Sequence, residues 1–229
     1  MNEVLFVVPL WVDLSAVAIG AVQGAMFAAR FQDRQLDWLG VAIIGVVVGL
    51  GGGLIRDILL GQVPASLQNN WYLPVASGAA LLGMFLLRTI TRLGPVIIGL
   101  DALTIGMFGA IGSTKALAAG LPVIPAIFVG TVSAVGGSVL RDVMLGVPVA
   151  LMHVGSLYAI AAVVGSASLV GLLTLGVPVF IAAIICVAIT FGVRILAVLF
   201  NWSLPEQKAI TTVPRIRRKP RSTKRGRED

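Results

Sequence analysis

The sequence predicts an all-α membrane protein with seven transmembrane helices. Three observations carry that prediction. Of 229 residues, 58% are hydrophobic and only 12% charged, with a mean hydropathy of +1.00. Soluble domains carry about 25% charged residues. The apolar residues gather into runs near the ~20 residues a helix needs to cross a bilayer. Finally, one element occurs twice, as Gly51-Gly52-Gly53-Leu54-Ile55-Arg56-Asp57-Ile58-Leu59-Leu60-Gly61 and as Gly136-Gly137-Ser138-Val139-Leu140-Arg141-Asp142-Val143-Met144-Leu145-Gly146. Six of its eleven positions are identical, and four of the others exchange one apolar residue for another.

The runs are taken in order. The first extends from Val4 to Ala29, with Pro9 near its start. It is preceded by Glu3 and no basic residue, which speaks for a retained span rather than a cleaved signal peptide. The second, Leu36 to Leu60, ends inside the first copy of the element. Trp71 to Leu87 and Pro95 to Ala119 follow. The fifth, Val123 to Leu145, ends inside the second copy. His153 to Leu173 and Val177 to Phe200 complete the set. Turn formers separate them at Gln62-Val63-Pro64, Leu93-Gly94-Pro95, Gly120-Leu121-Pro122, Gly146-Val147-Pro148 and Gly176-Val177-Pro178. Such short links predict antiparallel neighbours.

Basic residues set the orientation, because cytoplasmic loops are rich in Lys and Arg. Loop one holds Arg30 and Arg34, and loop three holds Arg88 and Arg92. Loops two and six have no basic residue, and loop four has only Lys115 near its start. Asp33 and Asp37 in loop one count little. Seven spans then place the N-terminus outside and the C-terminus in the cytoplasm, in a plasma (inner) membrane. A six-span alternative, with the first run peripheral, would put the N-terminus inside. Trp11, Trp38, Trp71 and Trp202 read as interface anchors.

The net charge of +7 is unevenly placed. Residues 206–229 hold nine Lys/Arg against three Asp/Glu, while the preceding 205 hold eight against seven. The tail reads as disordered and cytoplasmic. Contact with anionic lipid head groups, at ~1 kcal/mol per basic residue near the surface, stands beside the plainer reading of a topology-fixing tail. Nucleic-acid binding does not suit a tail beside seven spans.

The chain is self-similar beyond the eleven-residue element. Asp13 and Gly24 in the first run match Asp101 and Gly112 in the fourth. Tyr72 at the start of the third matches Tyr158 early in the sixth. Three spans therefore repeat, as residues 1–93 and 94–175, with a seventh span over 176–204 and the tail over 205–229. An odd number of spans starts the second copy on the opposite side of the membrane, so the copies are inverted. Permeation sites in such folds form at the repeat interface from broken helices.

The residues that carry chemistry follow from this. Each Gly inside a helix costs ~1 kcal/mol relative to Ala. Gly45, Gly49 and Gly53 make small-xxx-small steps, as do Gly20 and Gly24, and the single glycines suit close packing. For the triplet Gly51, Gly52, Gly53 and its counterpart Gly136, Gly137, Ser138, the sequence favours a kink facing a pathway. A break in lipid is tolerated only where it is buried or lines a watery cavity. Charges inside the membrane cost roughly 2.5–3.5 kcal/mol each on the lenient insertion scale, so Arg56-Asp57 and Arg141-Asp142 must face protein or water. Neighbours on a helix point ~100° apart, so the expected pairing is crossed, Arg56 with Asp142 and Arg141 with Asp57. A fixed salt-bridge cluster and a pore lining are both open for these residues. Asp13 and Asp101 are buried carboxylates, lining a pore or bonding backbone. Lys115 lies near the outer end of the fourth span, within snorkelling reach of the interface. Counting Asp13, Asp57, Asp101 and Asp142 against Arg56, Arg141 and Lys115 gives −1, which leans toward a cation path. Cys186, the single cysteine, reads as a small core residue, and His153, the single histidine, as a surface residue. No catalytic set, phosphate loop or metal-spaced cluster appears, so no enzyme and no cofactor is expected.

The doubled Gly-Gly-x-x-x-Arg-Asp-x-x-Leu-Gly element, with an Asp eleven residues before a Gly in spans one and four, resembles the prokaryotic TRIC (trimeric intracellular cation) channels. Bacterial members of that family are also catalogued as a glycine-transporter-like membrane domain. The resemblance covers about residues 10 to 200. It implies a homotrimer in which each protomer carries a K⁺-permeable pore lined by glycine-kinked spans two and five. Gly51, Gly52, Gly53, Gly136 and Gly137 map to the kinks, and Ser138 departs from the pattern at the third Gly position. The function implied is a monovalent cation channel conducting K⁺. The alternative is a secondary transporter of a small zwitterion such as glycine. Polar groups strung along the spans favour the channel.

Overall fold

A computed structural model of the chain describes residues 8–30, 36–89, 93–152, 157–200 and 202. Arg34, Arg92, His153, the side chain of Arg88 and the basic tail lie outside the described residues. Apolar runs become helices because only internal hydrogen bonding satisfies the backbone in lipid. Among the described residues, helices overlie the expected runs: α1 (Leu10–Ala29), α2 (Trp38–Leu59), α4 (Tyr72–Thr89), α5 (Leu93–Ala118), α6 (Val123–Leu145), α7 (Tyr158–Thr174) and α8 (Val179–Leu199). A one-turn α3 (Ala65–Gln68) and a 3₁₀ turn (Ala150–Met152) occupy the corresponding links after α2 and α6. Five helices, α1, α2, α5, α6 and α8, are long and apolar enough to cross a membrane, while the apolar stretches of α4 and α7 are shorter.

The helix ends follow their local sequence. Pro9, Pro64, Pro122 and Pro178 stand at N-caps, where a missing N–H costs nothing. Asp37 caps α2 by accepting from Gly40 N at 2.7 Å. At the other ends the backbone turns out at Gly61, Gly120, Gly146 and Gly176, with φ of 66°, 82°, 59° and 82°. Only glycine adopts that region without strain.

Two units pack side by side. In the first, α1 lies on α2 and α4; in the second, α5 lies on α6 and α7. They meet where α2 crosses α6, and α8 covers α5 and α7. The single upstream glycines pack as expected. A Cβ on Gly49 would come 2.6 Å from Val17 O, and one on Gly45 would come 2.8 Å from Ala80 Cβ. Trp11, Trp38, Trp71 and Trp202 are all exposed, and Cys186 is fully buried.

At the glycine triplet the backbone stays helical. α2 and α6 continue as α-helix through Gly51–Gly53 and Gly136–Ser138, and the left-handed glycines all lie at helix ends. The glycines hold no break here and expose no free run of carbonyls. They are spaced so that two backbones can touch.

Candidate functional site

The crossing of α2 and α6 is built from backbone. A Cβ on Gly52 would collide with the carbonyl oxygen of Ser133, and one on Gly137 with that of Val48. On Gly51 it would come 2.8 Å from Leu140 Cδ1, and on Gly136 2.8 Å from Ile55 Cδ1. These contacts are reciprocal. Gly52 and Gly137, Val48 and Ser133, Gly51 and Gly136, and Ile55 and Leu140 are each 85 residues apart. Gly53 differs from its neighbours: a Cβ there meets nothing closer than Arg56 Nη2 at 3.6 Å. Its counterpart Ser138 fills the equivalent space with a hydroxyl that donates to Val135 O at 2.8 Å.

One turn beyond the crossing on each helix sits a charge cluster. In the first, Arg56 grips Asp57 through two bonds, Nε to Oδ1 at 2.7 Å and Nη2 to Oδ2 at 3.1 Å. Asp57 Oδ2 also accepts from Ala65 N of α3 at 2.8 Å. Tyr72 Oη donates to Asp13 Oδ2 at 2.7 Å. Arg56 Nη1 lies 3.7 Å from Asp13 Oδ1, and Lys115 Nζ lies 3.6 Å from Asp13 Oδ2 and 3.9 Å from Asp57 Oδ1. The second cluster repeats this chemistry. Arg141 holds Asp142 through Nε at 2.9 Å and Nη2 at 2.8 Å. Asp142 Oδ2 accepts from Ala150 N at 2.9 Å, again 85 residues from Ala65. Tyr158 Oη donates to Asp101 Oδ1 at 3.1 Å and stands 2.6 Å from Ser138 Oγ. Gln23 Nε2 donates to the same Asp101 oxygen at 3.3 Å. Arg194 Nη2 of α8 lies 3.6 Å from Asp101 Oδ2, with its guanidinium 4.7 Å from the centre of the Tyr158 ring.

Three expectations change. The crossed pairing of Arg56 with Asp142 and Arg141 with Asp57 does not occur: each Arg bonds its own neighbour. The ~100° between neighbours is bridged because the Arg side chain is long enough to fold back along the helix. The clusters are also too far apart to pair. Asp101 and Lys115, one in each cluster, lie fourteen residues apart on α5, or ~21 Å along a helix. Lys115 does not snorkel away but joins the first cluster, with its side chain 24% exposed. The balance of −1 becomes zero once Arg194, buried on α8, is counted. Each cluster then holds two carboxylates and two cations, the condition under which buried charges are affordable.

Open space adjoins both clusters. A vestibule of about 260 Å³ is lined by Gln23, Asp101, Arg141, Asp142, Tyr158 and Arg194 with several apolar residues. Arg141 Nη1 and Arg194 Nε and Nη1 have no hydrogen-bond partner among the described residues. Further in, a cavity of about 10 Å³ touches Gln23, Asp101, Thr104, Gly137, Ser138 and Tyr158. Across the crossing, a second cavity of about 10 Å³ touches Gly53, Arg56, Asp57, Asp13, Ser66 and Tyr72. Each has room for about one water.

Comparisons with known proteins agree with this fold. The family described as "Glycine transporter" matches residues 10–88 and 98–174. The UPF0126 inner membrane protein YadS of Escherichia coli is 30% identical over 199 residues, spanning 85% of this chain and 94% of that protein. The chain belongs to the TRIC/UPF0126 family. A structure presented as the structural basis for conductance through TRIC cation channels superposes with a TM-score of 0.77 and 32% identity, over 88% of this chain and 98% of that one. The TRIC trimeric intracellular cation channel orthologue from Rhodobacter sphaeroides also gives 0.77, with 28% identity over 84% and 98%. This TRIC/UPF0126 member is therefore a multi-pass membrane protein with the TRIC channel fold.

Sequence reasoning missed four residues that the structure places at the clusters: Tyr72, Tyr158, Arg194 and Gln23. The two tyrosines did signal themselves as matched markers of the repeat. Arg194 was visible as the one charge in the most apolar run. Gln23 has no charged counterpart in the other unit, and nothing in the sequence marks it.

Proposed function

We propose that the chain is a monovalent cation channel conducting K⁺, with a pore through each protomer of a homotrimer. One observation carries the reading: a charged cluster on each side of the glycine crossing, with a vestibule at one of them and a small cavity against each. Similarity to structures described as cation channels, one of them as trimeric, supports it. The reading includes seven spans, the shorter α4 and α7 crossing with the rest. The two three-helix units are inverted repeats about an axis in the membrane plane. Reciprocal contacts are the mark of two-fold related surfaces. Their order, with early residues of α2 meeting late residues of α6, is that of antiparallel helices. The N-terminus faces outside and the C-terminus the cytoplasm, following the Lys/Arg distribution.

In this mechanism Gly51, Gly52, Gly53, Gly136, Gly137 and Ser138 set the narrowest part of the path. α2 and α6 bend there on opening. Asp13, Asp57, Asp101 and Asp142 attract cations to the two mouths, and Arg56, Arg141, Lys115 and Arg194 fix the carboxylates and keep the resting charge neutral.

A glycine carrier remains the second reading, because carboxylates and guanidinium N–H groups in one vestibule also suit a zwitterion. Purified protein in planar bilayers separates the two. Unitary current steps that reverse near the K⁺ equilibrium potential are expected. Saturable glycine counterflow without current would overturn the channel.

A further inference from the structure

α5 carries a third residue in register with its two charged ones. Asp101, Phe108 and Lys115 are spaced seven apart, close to two helical turns, so they share one face. Phe108 is buried, with 1% of its surface exposed. Its side chain is the one aromatic ring common to both small cavities, touching the Asp101 side and the Arg56 side alike. It stands midway along α5 between the two clusters, at the level of the crossing.

The ring rests on bare backbone. A methyl group added at Gly20, Gly52 or Gly53 would lie 3.7, 3.6 or 4.0 Å from it. Gly20 and Gly52, which admit the close approach of α1, α2 and α6, therefore also form part of the seat for this ring, with Gly53 beside them. Water and a hydrated cation are disfavoured at an apolar constriction, which closes a pore by dewetting. The cavities on either side are each about the size of one water, and Phe108 is the residue that lines both.

We propose that Phe108 is the apolar plug of the pathway, and that a hydrated monovalent cation passes between the clusters only when its ring leaves the glycine seat. The proposal rests on the channel reading above. Because the glycine side of the seat is bare backbone, a shift of α5 against the α2–α6 crossing withdraws the ring on that side.

The test uses the full chain in oriented proteoliposomes, with two readouts. The first is K⁺ flux for the parent and for Phe108→Ala, Phe108→Leu and Phe108→Trp, each accepted only if monodisperse in detergent. The second is labelling of Ser66→Cys, in a Cys186→Ala background, by a membrane-impermeant cationic thiol reagent added on the vestibule side. Phe108→Ala should raise both flux and labelling several-fold, with Phe108→Leu between it and the parent. Phe108→Trp should lower both. Should Phe108→Ala fold too poorly to purify, Phe108→Leu still decides. Labelling at the parent rate in the folded Ala or Leu variant overturns the plug, whatever the current. Faster labelling without K⁺ flux in any variant keeps the plug and sinks the channel reading.

Discussion

Replacing Gly52 with Ala puts a methyl group against the carbonyl oxygen of Ser133, closer than two such atoms can stand. Neither side can yield cheaply. The methyl group is fixed to the α2 backbone and the oxygen belongs to the α6 backbone, so the helices must separate. Alanine contributes about 1 kcal/mol of helix propensity over glycine. Overpacking a tight interface costs about 1–3 kcal/mol, and the backbone-to-backbone clash belongs at the upper end. The net loss is then ~2 kcal/mol. Gly78 on α4 and Gly192 on α8 are the controls, because a Cβ on either meets nothing within 4 Å. There the propensity term acts alone and alanine stabilises by up to ~1 kcal/mol. For a chain of this length 1 kcal/mol corresponds to roughly 2–4 °C in Tm. Gly52→Ala should therefore melt roughly 6–12 °C below Gly78→Ala, read by thermal-shift size-exclusion chromatography in one detergent. Gly137→Ala should match Gly52→Ala, since it meets Val48 O in the same way. Equal melting of Gly52→Ala and Gly78→Ala would refute the claim that the glycines exist for close crossing.

Three further predictions follow from the clusters. Arg56→Ala and Asp57→Ala should be coupled by about 0.5–3 kcal/mol in a double-mutant cycle, whereas Arg56→Ala and Asp142→Ala should add within about 0.5 kcal/mol; coupling of the second pair would restore crossed pairing. Arg194→Leu leaves the buried Asp101 without its ion pair and should cost about 3–5 kcal/mol. Adding Asp101→Leu should recover part of that loss, and a loss unchanged by the second substitution would show that Arg194 serves another partner. Tyr72→Phe removes the hydroxyl bonded to Asp13 and should lower stability by about 1–3 kcal/mol. Tyr158→Phe should cost less, because Asp101 Oδ1 keeps its bond from Gln23; the reverse order in thermal melts would contradict the assignment.

The helices were largely legible in the sequence. Their cores lie within a few residues of the expected runs because hydropathy, length and turn formers act locally, and Pro and Gly mark the ends by restricting or freeing φ. The doubled element was legible too, since a repeat can be read without knowing what it touches. Also visible was that Asp13, Arg56, Asp57, Asp101, Arg141 and Asp142 are buried, because a charge in an apolar run has nowhere else to go.

Only the tertiary structure decided the partners. Spacing along a helix says which way an Arg starts out, but not where four rotatable bonds let it finish, so the neighbour pairing Arg56–Asp57 replaced the crossed one. Lys115 and Arg194 joined clusters built mainly by other helices, and no local pattern places one helix end beside another. The glycines show the division most clearly. The sequence alone established that three small residues recur at one place in two spans. Whether a missing side chain bends a helix or lets another helix touch it depends on what lies opposite, and here Ser133 and Val48 of the partner helices lie opposite.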